Sequence, residues 1–333
     1  MTKNHLAASF GLIGLFGYAT AQASCGSTAC SINTNWDEHS SSQPGWSADL
    51  RYSYSRADQL RSGSNKITAN PTDPALDPGS EVENLRTLNK LVTASIDYTH
   101  DDQWGVMLQL PYVMRDHNHS LADPVAPGYD SFSASSLGDI KVVGRYRWAV
   151  DEASRSGMGV KFGLKLNTGK KDFLLASGAP PTEVTLQPGN GSTDLIVGVF
   201  WQQSAPGSDW SWFAQGMVQG SVNSKETFRP GNQVNLDAGT RYAFNRNLSG
   251  LLQFNVQWNG KDSGLAAAAS TLTPTEPGSA TGSRIFSLTP GLSYALTPST
   301  QLYSLVQLPI YQYVNGEQFT ANSSFTVGVS HRF

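Results

Sequence analysis

The chain has 333 residues, of which 39% are hydrophobic, 10% aromatic and only 15% charged, and its formal net charge is −3 at pH 7. This near-neutral balance, with no basic tail, argues against a nucleic-acid partner, and the apolar content excludes a disordered chain. Thirty-two glycines beside abundant Ser, Thr, Asn and Gln make the polarity mostly uncharged, which suits one large all-β body.

In chain order, residues 1–23 read as a signal peptide: Lys3 and His5 form a short polar head, Leu6 to Tyr18 an apolar run, and Ala21-Gln22-Ala23 a small-x-small cleavage pattern. Residues 24–45 follow as a short periplasmic or plug segment. It holds both cysteines, Cys25 and Cys30, whose simplest state in an oxidising periplasm is a small disulfide ring. Lipidation of Cys25, and a redox-active or metal-binding pair, stay open as alternatives.

Past Ala23 no stretch approaches the roughly 20 apolar residues that a membrane helix requires. Apolar and polar side chains instead alternate with period two over twelve segments: 46–56, 87–99, 104–116, 137–149, 158–168, 192–202, 209–221, 231–244, 249–261, 283–296, 300–313 and 320–333. In 251–261, Leu252, Phe254, Val256 and Trp258 share one face while Gln253, Asn255, Gln257 and Asn259 share the other. The expected fold is an all-β transmembrane antiparallel up-and-down β-barrel over 46–333, with twelve strands, and ten or fourteen as alternatives.

A soluble sandwich alternates too, so three further features carry the membrane reading. Connections alternate between long (57–86, 117–136, 169–191, 222–230, 262–282, 314–319) and short (100–103, 150–157, 203–208, 245–248, 297–299), as in outer-membrane barrels with short periplasmic turns. Trp46, Trp104, Trp148, Trp201, Trp210 and Trp212 fall at the short-turn ends, where an interfacial belt belongs. The apolar faces of the strand centres are almost without charge. The last segment, SSFTVGVSHRF, places Phe325, Val327, Val329, His331 and Phe333 on one face, and its terminal Phe333 resembles the signal read by the barrel-assembly machinery.

The polar faces hold Arg51, Arg115, Lys141, Arg145, Arg147, Lys161, Lys165, Arg241, Lys261 and Arg332 against Asp49, Asp97, Asp139 and Asp237. Five of the bases crowd segments 137–149 and 158–168, which predicts either a weakly anion-favouring lumen or a structural charge network. Arg115, His117 and His119 share a face, so His117 and His119 are weak metal candidates; a zinc site usually needs three or four protein ligands. His117 and Ser120 lack a nucleophile motif around them, and no enzyme and no cofactor is expected.

SLGDIKVVGRYRW (136–148), GLKLNTGKKDF (163–173), GSTDLIVGVFWQ (191–202) and the closing stretch from LTPGLSYALTP to FTVGVSHRF (288–333) resemble outer-membrane transporters associated with the meta-pathway of phenol degradation. That broad family also includes a channel that secretes functional amyloid subunits. The resemblance, with its Gly138-Asp139 and Thr193-Asp194 strand starts, implies a twelve-stranded pore in the cell outer membrane. About 22 residues separate Ala23 from the first strand, too few for the secretion channel's long N-terminal region, which favours passive passage of small solutes, aromatic or anionic, over export or a purely structural barrel. Expected partners are outer-membrane lipid and lipopolysaccharide, the barrel-assembly machinery and a small-molecule solute. A homo-oligomer stays open.

Overall fold

The computed structural model describes residues 44–333, except 102, 152–155, 179–183, 205–206, 223–228 and 264–280. The signal segment and the Cys25 and Cys30 pair lie outside the described residues. The strands are β1 (Gly45–Gly63), β2 (Asn65–Lys66), β3 (Glu81–Thr99), β4 (Trp104–Leu121), β5 (Gly128–Leu137), β6 (Lys141–Asp151), β7 (Ser156–Lys165), β8 (Asp194–Ser204), β9 (Trp210–Ser221), β10 (Gln233–Ala243), β11 (Leu248–Asn259), β12 (Ser283–Thr297) and β13 (Thr300–Arg332). Each pairs antiparallel with its neighbour, and β13 pairs with β1 from Ser47↔Arg332 upward, so the sheet closes on itself. Closure leaves no strand edge to be exposed to lipid.

Three features reconcile these elements with a twelve-stranded barrel. β2 is a two-residue return on the top of β1, pairing only with Arg61 and Ser62, and is no separate strand of the wall. β13 is a hairpin in one extended run: residues 300–314 pair with β12, residues 317–332 pair with β1, and the chain reverses at Asn315-Gly316. Gly316 has φ 61°, the left-handed conformation that an Asn-Gly turn requires. β5 and β6 are successive lengths of one strand, paired with the upper and lower parts of β4 and interrupted at 138–140. The break lies opposite Pro111, which has no N–H for the ladder; Gly138 N instead donates to the Pro111 carbonyl at 2.8 Å.

The structure lengthens several expected segments. β1 runs on to Gly63, β3 begins at Glu81, and 128–137, expected within a connection, is a strand. These tops of hairpins stand above the membrane, where no lipid imposes an apolar face and the alternation fades. The connection expected at 314–319 is a two-residue turn, because VNGEQ supplies a hairpin signal inside a polar stretch.

The wall has an apolar outside and a polar inside. Along β8, Leu195, Val197, Val199 and Trp201 are exposed while Asp194, Ile196 and Gly198 are buried. The six tryptophans of the short-turn ends are all exposed, and three clasp cross-strand partners: Trp46 on Tyr98 at 4.7 Å, Trp104 on Tyr146 at 4.6 Å and Trp210 on Tyr242 at 4.7 Å between ring centroids. Such pairs add about 0.5–1.5 kcal/mol each beyond burial and hold one interfacial belt level. An exposed apolar belt around a closed strand wall is stable only in a bilayer, so the chain is an outer-membrane barrel. Gly45, Phe333 and the short turns share one rim, where Phe333 N donates to the Trp46 carbonyl at 2.9 Å.

Candidate functional site in the barrel interior

The inner face carries two kinds of polar side chain. On β4 to β8 most of the bases are buried, and two of them, Arg145 and Lys165, are tied to carboxylates. Arg145 forms a two-pronged pair with Asp97, and its second nitrogen also donates to Thr99 Oγ1 at 2.5 Å. Lys165, only 3% exposed, donates to Asp139 Oδ2 at 2.9 Å and stands 3.6 Å from Asp194. Two glutamines on β9, four residues apart and therefore on the same face, act as relays. Gln215 accepts from Lys161 at 2.8 Å and donates to Asp237 at 2.8 Å; Gln219 accepts from Lys141 at 3.2 Å and donates to Asp194 at 2.6 Å.

Asp139, at the strand break, also anchors the segment between β7 and β8. It accepts from Gly169 N at 2.9 Å, Thr168 N at 3.2 Å and Asn190 N at 3.4 Å, so the described parts of this segment, 166–178 and 184–193, fold inward over the break. Their backbone sits directly on it: a Cβ on Gly169 would come within 2.6 Å of Gly189 Cα and 2.9 Å of the Gly138 carbonyl carbon. Arg115 reaches in from β4 to donate to the Thr185 carbonyl at 2.5 Å, and Phe132, Ala134, Leu175 and Leu186 close a small apolar cluster beneath.

Of the fourteen charged candidates, Arg115, Arg145, Arg147, Lys161, Lys165, Asp49, Asp97, Asp139 and Asp237 are buried inside the barrel, Lys261 is exposed and Arg332 is half-buried. Asp49, for example, accepts from the Tyr303 hydroxyl at 2.8 Å. Arg51, Lys141 and Arg241 remain half-buried, and Arg241 donates to Ser249 Oγ at 3.1 Å. Arg51 and Lys141 act on one another electrostatically. Gln109, Gln219, Asn235 and Gln257 are likewise half-buried on the inner face. A wide water-filled lumen would leave the strip on β6 and β7 exposed. Arg145, Arg147, Lys161 and Lys165 are instead buried, and Arg145 and Lys165 have their charge compensated by carboxylates within the wall.

His117 and His119 are brought together, but not as a chelate. His117 pairs with Thr87 Oγ1 through Nδ1 at 2.9 Å and with His119 Nδ1 through Nε2 at 3.1 Å, and His119 Nε2 lies 3.7 Å from Glu81. Nitrogens that bond to each other do not both face one ion, and no group of three His, Cys, Asp or Glu among the described residues has metal-holding geometry. Ser120 occupies the opposite face of β4 from His117, so the two form no dyad. Sequence patterning offered no sign of Gln215, Gln219, Asn190 or Ser192 as network members. Their amides and hydroxyls look like ordinary inward-facing polarity until partners 20 to 80 residues away are known.

A family model described as "Putative MetA-pathway of phenol degradation" matches residues 62–333. The chain belongs to that family. Among solved structures, this member is similar to an outer membrane channel from Pseudomonas putida F1, with TM-score 0.61 and 13% identity over 87% of this chain and 96% of that one. It is similar more loosely to the transport unit of the autotransporter AIDA-I from Escherichia coli, with TM-score 0.48 and 9% identity over 95% of this chain and 100% of that one. At such identities the likeness is one of fold. No curated protein sequence matches the chain.

Proposed function

We propose that the barrel is a narrow outer-membrane channel for the passive uptake of small solutes. The observation that carries this reading is the half-buried set Arg51, Gln109, Lys141, Gln219, Asn235 and Gln257 inside a wall whose other charges are mostly buried, many of them paired. In this reading the amides and two bases border the passage, exchange hydrogen bonds with a small polar solute and favour anions over cations where the passage is tightest. The inward parts of segment 166–193 narrow the route and so limit solute size. Phe333, hydrogen-bonded at the closing seam, serves in this reading as the mark read by the barrel-assembly machinery.

Planar-bilayer recording of the purified protein tests the channel. Small, steady, weakly anion-preferring conductance is the expected result, and a silent, correctly folded barrel overturns it in favour of a structural role. That second reading draws on the buried charge network, which fills much of the interior. Growth of a deletion strain on a panel of aromatic and anionic carbon sources would then narrow the solute class.

A further inference from the structure

A cavity of about 60 Å³ lies at the mouth of the barrel opposite the short turns, away from Arg51 and Lys141. Thr185, Gln187 and Asn190 of the inward segment form one wall; Asn259, Asp262 and Ser283, at the tops of β11 and β12, form the other. Asn259 is buried. Its Nδ2 donates to Ser283 Oγ at 3.0 Å, which fixes the amide and leaves Oδ1 without a hydrogen-bond partner among the described residues. Buried amide oxygens are rarely left so unless water or a ligand meets them.

Asp262 supplies a second acceptor beside it. One of its oxygens accepts from Gly231 N at 2.8 Å, and burial pushes the carboxyl up to about 6, with no described base among the groups acting on it. The facing wall has committed its amide oxygens: Gln187 Oε1 accepts from Phe173 N at 3.2 Å, and Asn190 Oδ1 accepts from Lys165 and Ser192. The acceptors left for a ligand are Asn259 Oδ1 and Asp262, which suit a ligand that brings hydrogens, and the Asp262 carboxyl disfavours a carboxylate or phosphate. Asp139 also lines the cavity, but Lys165 and three backbone N–H groups hold its oxygens, which leaves Asp262 as the carboxyl without a described base and gives an ammonium or metal ion too few charged acceptors. Pro188 and Pro230 give it C–H walls.

We infer that this cavity is an entry site at which the hydroxyl groups of a small uncharged solute dock before passage. The inference rests on the channel reading for the solute's route, whereas docking itself is independent of conductance. The test uses the full-length protein in detergent micelles and the temperature at which its folded gel band is lost, with erythritol, propionate and ethylammonium as probes. Erythritol is expected to raise that temperature saturably. Propionate is expected to have no effect, and general osmolyte stabilisation would rise without saturating. Asn259→Leu should raise the half-saturating erythritol concentration about tenfold. Should that variant fail to fold, Ser283→Ala, which frees the amide to turn its nitrogen into the cavity, should weaken saturation in the same direction.

No saturable effect, or an equal effect in the variants, overturns the site and leaves only bound water. Preference for ethylammonium overturns the hydroxyl assignment. Bilayer recordings on the same preparations separate the two readings: a silent barrel that binds erythritol rejects the passage and keeps the site, whereas a conducting barrel that does not bind it rejects the site alone.

Discussion

The two halves of the wall solve the same burial problem with different chemistry. From β4 to β8 the interior holds Arg145 with Asp97 and Lys165 with Asp139 and Asp194, ion pairs that link strands to one another and to segment 166–193. From β9 to β12 the inner face is mainly amide and hydroxyl: Asn255 donates to Asp237 at 2.5 Å and accepts from Thr289 Oγ1 at 2.6 Å, and Asn259 donates to Ser283. The ionic half fixes a fold-back of the chain, which needs strong multi-pronged anchors. The amide half needs only to satisfy itself. Its shorter, neutral groups leave the room that the ionic half fills.

Breaking the ionic anchor should have the largest effect. Asp139→Ala leaves Lys165 buried with a more distant carboxylate and strips acceptors from Thr168, Gly169 and Asn190. Removal of one member of a buried pair typically costs about 3–5 kcal/mol, so the variant should unfold at clearly lower urea in micelles and lose protease protection across 166–193. In the amide half, Asn255→Leu removes one neutral link to Asp237 and should cost less, about 1–3 kcal/mol by the same measurement. Equal losses in the two variants would dissolve the distinction.

A third experiment separates a half-buried base of the inner face from one locked in the wall. Lys141→Glu should move the zero-current potential in a salt gradient toward cation preference, more strongly at 0.1 M salt, where the screening length is about 10 Å, than at 1 M, where it is about 3 Å. Lys161→Gln, at a position 2% exposed and bonded to Gln215, should leave ion preference unchanged. The smallest effect concerns pH. Asp262, in the connection after β11, has its carboxyl raised from 3.8 to about 6 by burial, so its protonated form is the one the fold favours. Stability from this group is fully present below about pH 4 and is lost as pH rises through about 6. Wild type should therefore show a slight downward drift of unfolding temperature across that window, and Asp262→Asn should flatten it.

The ionic half also marks where the sequence stops being readable. Period-two patterning shows that Arg145 and Asp97 point inward, because a strand face is a local property. It does not show that they meet, since they lie 48 residues apart and their contact depends on register. The strand break at 138–140 and the inward course of 166–178 and 184–193 are hidden for a related reason. Pro111 sits in the middle of β4, and its consequence falls on a different strand. The tryptophan belt was legible throughout, because lipid sorts side chains by type alone. The cavity acceptor Asn259 was placed on the correct face by alternation, but its lack of a partner is visible only once Ser283 is seen to hold its nitrogen.

The Asn315-Gly316 turn sets an order of events in assembly. It joins the last two strands through two residues, so their hairpin is among the most local pairings in the sheet, with Thr297↔Thr300 at the preceding turn, and can form within about 1–10 μs of those residues becoming free. The seam that this hairpin makes with β1 is the opposite extreme: Ser47 meets Arg332 at a sequence separation of 285, a loop closure whose entropy nothing local can offset. The molecule thus carries one of its fastest contacts and its slowest on the two edges of a single ribbon, 317–332. The ring can be completed from the tail end by a preformed pair of strands that waits for the first strand to arrive.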